Sequence, residues 1–258
     1  MSEPQPSQPR PGGKPFSKRK RQVFTVTLAL AVVVTIVAGI LLATTSSNTP
    51  PRAVTLPAED RDASPALVRA AQAVGFRPIS APGTGGIEDA PAVSERSPLS
   101  PDLLPVGSKA PAFTLRTPTG RKVSLSDFRG KAVLLEIFAT WCPHCAAEAP
   151  HLRDLANSMP KSKYAFVSIN GNSENAASVF AYHVYFGLPF PALLDPDPRS
   201  PAVTFPAHGK AGPVSKAYRL AYFPTFYVID PKGRITWRSD GEQPDALLRQ
   251  ELQRAAGA

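Results

Sequence analysis

The pattern of apolar and polar positions changes near Pro111. Before it the chain is rich in proline, whereas after it apolar runs alternate with turn signals. AFTLRT predicts a strand, and a turn at Pro118 to Gly120 leads into a second short strand. Residues 132–139, AVLLEIFA, are a nearly continuous apolar run, which is typical of a central strand covered on both faces. Glu136 is the single charge within that run.

The remaining elements follow from the same patterns. Helical spacing runs from Pro143 towards Ser158, and YAFVSIN then predicts a second central strand. The later elements are a helix over Asn175 to Phe186 ended by Gly187, a hairpin formed by Thr225 to Asp230 and Arg234 to Arg238, and a helix from Asp245. This order predicts an α/β fold over residues 105–258, with a mixed central sheet flanked by helices.

The apolar run near the N-terminus has a different character. Val23 to Ala43 are 21 residues without a charge, enough to cross a bilayer core of roughly 30 Å. A signal peptide usually has only about 7–15 apolar residues, so a retained transmembrane anchor is favoured. Because basic residues precede the run, residues 1–22 are expected in the cytoplasm. The sequence therefore predicts a single-pass protein of the cell membrane, embedded in lipid through this helix, with its C-terminal domain extracytoplasmic.

Residues 44–104 are expected to form a proline-rich linker, since such a composition buries little apolar surface. One stretch departs from it. Ser64 suits a helix cap, Pro65 a first turn and Gly75 a helix end, which favours a short amphipathic helix over residues 66–74. Two alternatives stay open: the helix packs on the domain or a partner, or it forms only transiently within a spacer.

The formal net charge of +9 is unevenly spread. Six lysines and arginines against one acid lie in residues 1–22, where they flank the predicted anchor. Residues 105–258 carry eighteen basic against twelve acidic residues, without a basic stripe interleaved with aromatic residues. No nucleic-acid partner is therefore expected.

The only two cysteines, Cys142 and Cys145, form a Cys-Pro-His-Cys sequence. A zinc site needs four ligands, and no histidine has the spacing to complete one. Copper held by the pair and a histidine is a further alternative. Haem attachment needs a histidine after the second cysteine, where Ala146 stands. A structural disulfide closing so short a loop would stabilise the fold weakly.

A redox dithiol explains the spacing better. The pair follows a central strand and begins a helix, whose N-terminus favours a thiolate, and Pro143 suits the first helical position. Cys142 is then expected to be an exposed nucleophile, and Cys145 the covered thiol that resolves the mixed disulfide. Glu136 is the candidate base, because burial raises the pKa of a carboxyl group. The alternative is a Glu136 at an edge or in contact with water.

Several stretches in order, GSKAPAFTLRTPTGRKVSLSDFRGKAVLLEIFATWCPHC, LPFPALLDPD and YFPTFYVIDPKGRI, resemble the TlpA/ResA-type membrane-anchored thiol-disulfide oxidoreductases. These belong to the thioredoxin-fold superfamily, among redoxin or AhpC/TSA-like domains. The resemblance implies a cis Pro224 facing the cysteines, with Phe223 and Trp141 beside the substrate. It also implies proton transfer by Glu148, for which a solvated position on the helix is the alternative. No cofactor is expected.

Two features depart from that family. Pro143 and His144 resemble the dipeptide of DsbA-like oxidases, and residues 196–213 form an unusually long connection. Two redox functions therefore remain open: reduction of extracytoplasmic client disulfides, including those of apocytochrome c, fed by a membrane thiol-electron transporter, or disulfide formation with a quinone-linked membrane oxidase. A thiol peroxidase fits less well, because Leu135 and Ala139 occupy the positions of its proline and threonine. A copper chaperone is the non-enzymatic alternative.

Overall fold

The computed structural model describes residues 56–79 and 103–257. The predicted cytoplasmic N-terminus, the transmembrane anchor and much of the linker lie outside these residues. Within the two described ranges, no helix is both long and apolar enough to cross a membrane. All described residues belong to one compact unit, Thr55–Ala258.

A seven-stranded mixed sheet forms the centre of this unit. Its strands are β1 (Thr114–Arg116), β2 (Lys122–Ser124), β3 (Ala132–Phe138), β4 (Tyr164–Asn170), β5 (Ala192–Leu194), β6 (Thr225–Ile229) and β7 (Ile235–Asp240). Their spatial order is β2-β1-β5-β4-β3-β6-β7. Strand β3 is parallel to β4 and antiparallel to β6, and β6 and β7 form the predicted hairpin. The α/β prediction with a mixed sheet is confirmed.

Helices cover both faces of the sheet. They are α1 (Pro65–Val74), α2 (Pro143–Ser158), α3 (Ala176–Phe186), α4 (Pro213–Ala217) and α5 (Asp245–Ala256), with 3₁₀ turns at Ala58–Asp60 and Leu125–Phe128. Side chains of β3 alternate between two apolar clusters. Leu134 and Phe138 pack with α2, α3 and α5, whereas Leu135 and Ile137 face the other cluster. By this alternation Glu136 lies on the same face as helix α2.

Part of the expected linker is folded onto the domain. Ser64 accepts a hydrogen bond from the Leu67 N–H, and Gly75 ends α1 in a left-handed conformation, as predicted. The helix packs against α3. Ahead of it, Asp60 Oδ2 lies 2.5 Å from His183 Nδ1, and both side chains are buried. The alternative of a transient helix is therefore wrong, because the buried contact between Asp60 and His183 and the packing of α1 on α3 fix this segment to the domain.

Candidate active site

Cys142 and Cys145 lie where the chain passes from β3 into α2. Cys142 is the N-cap residue, and its Sγ accepts a 3.2 Å hydrogen bond from the Cys145 N–H. Pro143 occupies the first turn, where a missing N–H has no cost. Both thiols are free. The dithiol thus follows a buried strand and lies at the start of a helix, as predicted.

Cys142 is less accessible than expected. Only 3% of its surface is exposed, so the prediction of an exposed nucleophile is wrong. Its thiol lies 3.6 Å from the carbonyl oxygen of Phe223, the residue that precedes Pro224. The Phe223–Pro224 bond is cis, as the resemblance implied. The chain carrying these two residues covers the sulfur, and this contact between distant parts of the sequence leaves no local signal.

The two thiols have opposite acidities. A hydrogen bond from the Cys145 side chain, with further help from backbone N–H groups of Cys145 and His144, lowers the pKa of Cys142 against the effect of burial. Burial raises the pKa of Cys145 well above its ordinary value, and the neighbouring Cys142 and Glu136 raise it further. Cys142 is therefore the more acidic of the two thiols, and Cys145 needs a base before it can react.

Glu136 is fully enclosed beneath the dithiol. Burial raises its pKa to about 7, although a hydrogen bond from Ser168 opposes the shift. Its Oε1 has no hydrogen-bond partner within the described part of the chain. Glu136 therefore does not lie at an edge, because β3 is a central strand and the side chain is 3% exposed. A carboxyl group that titrates near neutrality beside a high-pKa thiol suits proton transfer.

Glu148 is a second buried carboxyl group in this region. It has no exposed surface, so a solvated position on the helix is wrong. Its Oε2 accepts a 3.0 Å hydrogen bond from the Gln243 N–H. Burial raises the pKa of Glu148 well above its usual range, and the charge of Glu136 adds to the effect. The two acids thus interact electrostatically on one face of the sheet.

The remaining predicted residues form the rim of the site. His144 is exposed, and its Nδ1 lies 2.5 Å from Oε1 of Glu242. Trp141 is half-buried between two rings: His208 stacks on it with centroids 3.7 Å apart, and Phe223 meets it edge-on at 5.8 Å. Cys145 and Phe223 contact Cys142 directly, and Trp141, Pro143 and His144 adjoin it in the chain.

Sequence reasoning missed four supporting residues. Glu174 accepts hydrogen bonds from the backbone N–H and the hydroxyl group of Thr140, two residues before Cys142. Tyr182 donates a 2.8 Å hydrogen bond to the carbonyl oxygen of Cys145. Glu242 and Gln243 engage His144 and Glu148 from the β7–α5 connection. None of the four belongs to a local motif around the cysteines. Only the charge of Glu174 and Glu242 could have drawn attention to them.

Within the described ranges, no group of three or more histidine, cysteine, aspartate or glutamate side chains is arranged to hold an ion.

The family model for the AhpC/TSA family matches residues 106–238, about half of the chain, with six of the seven strands and most of β7. The chain belongs to the AhpC/TSA family. Thiol-disulfide oxidoreductase ResA of Geobacillus thermodenitrificans is 30% identical over 148 residues, which cover 57% of this chain and 76% of the relative. Thioredoxin-like protein YneN of Bacillus subtilis is 35% identical over 148 residues, 57% of this chain and 78% of YneN.

A solved structure agrees with these relatives. The solution structure of a Bacteroides thetaiotaomicron protein, provisionally described as a protein disulfide isomerase, superimposes with a TM-score of 0.50 at 25% identity. The match covers 60% of this chain and 92% of that one. Together with the Cys142–Cys145 pair, the relatives identify this chain as a thiol-disulfide oxidoreductase of the ResA type.

Proposed function

We propose that the protein reduces disulfides of extracytoplasmic client proteins, apocytochrome c among them, and is itself re-reduced by a membrane thiol-electron transporter. The free dithiol with a low-pKa Cys142 and a high-pKa Cys145 supports the chemistry. The location rests on the predicted anchor over residues 23–43 and on the resemblance to ResA.

The reaction consists of two exchanges. The Cys142 thiolate attacks one sulfur of the client disulfide, forms a mixed disulfide and releases the other client sulfur as a thiolate, which takes a proton from water. Cys145 then loses its proton to the Glu136 carboxylate and attacks Cys142 Sγ, which expels the second client thiolate. The client gains two electrons, and the protein ends with a Cys142–Cys145 disulfide.

The pairing of His144 with Glu242 is the observation that favours reduction over oxidation. In a DsbA-like oxidase, a positive histidine between the cysteines stabilises the thiolate and so makes the disulfide more oxidising. Here the Glu242 carboxylate lies 2.5 Å from that ring and engages it in a hydrogen bond. Burial raises the pKa of Cys145 well above its ordinary value, and the charge of Glu136 adds to that effect. A less stable Cys145 thiolate makes the dithiol a stronger electron donor.

The reduction potential of the Cys142–Cys145 couple tests this direction. Equilibration of the full chain with glutathione redox buffers is expected to give a value below about −200 mV, as for reductases. A value near about −120 mV would assign the protein to the oxidases instead. Labelling of Cys142 in intact cells by a membrane-impermeant maleimide tests the location: an extracytoplasmic domain is labelled after reduction, and a cytoplasmic one is not.

A further inference from the structure

Residues 196–212 form most of the connection between β5 and α4. We call them the wall loop because they form one side of the active site. Asn172, in the turn after β4, fixes the loop on both sides of His208. Its Nδ2 donates to the Ala207 carbonyl at 3.1 Å, and its Oδ1 accepts from the Gly209 N–H at 2.7 Å. A Cβ atom on Gly209 would lie 2.0 Å from the Asn172 carbonyl oxygen, so only glycine permits this approach.

His208 is thereby held over Trp141. The two rings are nearly parallel, at 14° and 3.7 Å between centroids. The indole N–H of Trp141 is buried and has no acceptor among the residues that the structure describes. Further contacts elsewhere in the wall loop hold it in place.

Phe205 supplies one such contact, three residues before His208. Its backbone N–H donates a 2.9 Å hydrogen bond to Ser178 Oγ in α3. Its ring packs edge-on against Phe76, with centroids 5.0 Å apart at 64°. Phe76 follows α1 directly and is 9% exposed. An aromatic contact thus joins the wall loop to residues 57–77, the segment that Asp60 and α1 attach to the domain.

Phe76 reaches the dithiol by a second route. Its ring meets that of Tyr182 at 5.4 Å and 66°. The Tyr182 hydroxyl group donates to the Cys145 carbonyl oxygen at 2.8 Å. One ring outside the family-matched region therefore contacts both the loop that carries His208 and the tyrosine that holds the first turn of α2.

We infer that Phe76 is a positioning residue for the active-site wall: through Phe205 it keeps His208 stacked on Trp141, so that residues 57–77 set the surface that a client protein meets beside Cys142. The consequence for clients rests on the proposed function. The geometric part, that loss of Phe76 uncovers Trp141, does not.

Fluorescence tests the geometric part. Trp237 is the only other tryptophan, so a Trp237→Phe background isolates emission from Trp141. We expect His208→Ala and Phe76→Ala each to increase acrylamide quenching of Trp141, with Phe76→Leu intermediate. Tyr185→Ala is the matched control, because Tyr185 also packs on Phe76 at 5.4 Å but is an exposed residue of α3 outside the wall loop. Acrylamide is expected to quench Trp141 emission in this control to the same extent as in the parent protein.

Two substrates test the consequence. With insulin as a protein disulfide, Phe76→Ala and His208→Ala are expected to react about fivefold more slowly, the size of effect that losing an aromatic contact produces. With bis(2-hydroxyethyl) disulfide, which is too small to touch the wall, rates should stay within about twofold, because Tyr182 still donates to the Cys145 carbonyl and Cys142 is unchanged.

The outcomes separate the two claims. Circular dichroism shows whether Phe76→Ala and Phe76→Leu are folded. If both are folded and acrylamide quenches their Trp141 emission no more than that of the parent protein, Phe76 has only a structural role and the inference is wrong. The inference is also wrong if both disulfides slow equally in Phe76→Ala. If the parent protein reduces neither disulfide, the proposed function fails, while the quenching data still decide the role of Phe76.

Discussion

Ser168 Oγ donates a 2.5 Å hydrogen bond to Oε2 of Glu136, across the parallel pairing of β3 and β4 in which these two residues lie directly opposite. The bond orients the carboxyl group and stabilises its charged form, but burial has the larger effect. The result is an acid that changes protonation state near neutral pH inside the sheet. That property has consequences for stability as well as for proton transfer.

Glu136→Gln is expected to change how stability depends on pH. The pKa of Glu136 rises from 4.5 to about 7 on folding, so the folded protein holds a proton that the unfolded chain releases. The contribution of Glu136 to the free energy of unfolding is fully present below pH 4.5 and decreases by about 3 kcal/mol as the pH rises to about 7. Urea unfolding measured between pH 4.5 and 7.5 should therefore show that the free energy of unfolding of the variant, relative to that of the parent protein, increases by about that amount.

The matched control is Asp154→Asn, which removes one exposed carboxylate of α2. The difference in free energy of unfolding between Asp154→Asn and the parent protein should not increase between pH 4.5 and 7.5. A flat difference for Glu136→Gln would mean that Glu136 has an ordinary pKa.

Cys145→Ser is expected to accumulate mixed disulfides with client proteins, because Cys142 attacks but nothing resolves the product. Cys142→Ser should accumulate none, since the remaining thiol is buried and its pKa is well above the ordinary value. Non-reducing electrophoresis followed by mass spectrometry detects and identifies the adducts. Adducts on Cys142→Ser alone would reverse the two roles, and an active Cys145→Ser without adducts would contradict the two-cysteine scheme.

Glu242→Gln is expected to make the Cys142–Cys145 couple more oxidising, by about 30 mV for each 1.4 kcal/mol of added thiolate stabilisation. The variant leaves the His144 ring without its carboxylate partner, so the ring can donate a hydrogen bond to the Cys142 thiolate instead. Redox titration against glutathione measures the shift. The shift should disappear when His144→Ala is added. If the double variant shifts as far as Glu242→Gln alone, the carboxylate acts directly and not through His144.

Asp60→Asn is expected to destabilise the protein by about 2 kcal/mol, because it removes the carboxylate that the buried His183 ring contacts. The second nitrogen of His183 faces the Phe190 carbonyl at 2.6 Å and cannot take over that role. Urea unfolding gives the magnitude, and faster tryptic cleavage at Arg69 reports release of α1. Asp60→Asn with His183→Gln should cost less than the sum of the single changes, whereas strict additivity would show that the pair is not coupled.

The local elements were predictable because their signals are local. The apolar run of β3, the proline at the start of α2 and the glycine after α3 each act within a few residues, and the structure agrees with all of them. The cap at Ser64 likewise predicted α1. Whether α1 docks was undecided, because docking depends on Asp60 meeting His183, 123 residues away.

The same division applies to the site. The sequence by itself determined the chemistry: two cysteines at a helix start, an acid in the preceding strand and an acid one turn beyond the second cysteine. Only the tertiary structure decided the environment of that chemistry: the cover over Cys142 by the chain at Phe223, the pairing of His144 with Glu242, and the stack of His208 on Trp141. The reason is physical. Residue type and short spacing fix which groups are reactive, whereas burial and charge pairing arise between segments that are far apart in the chain.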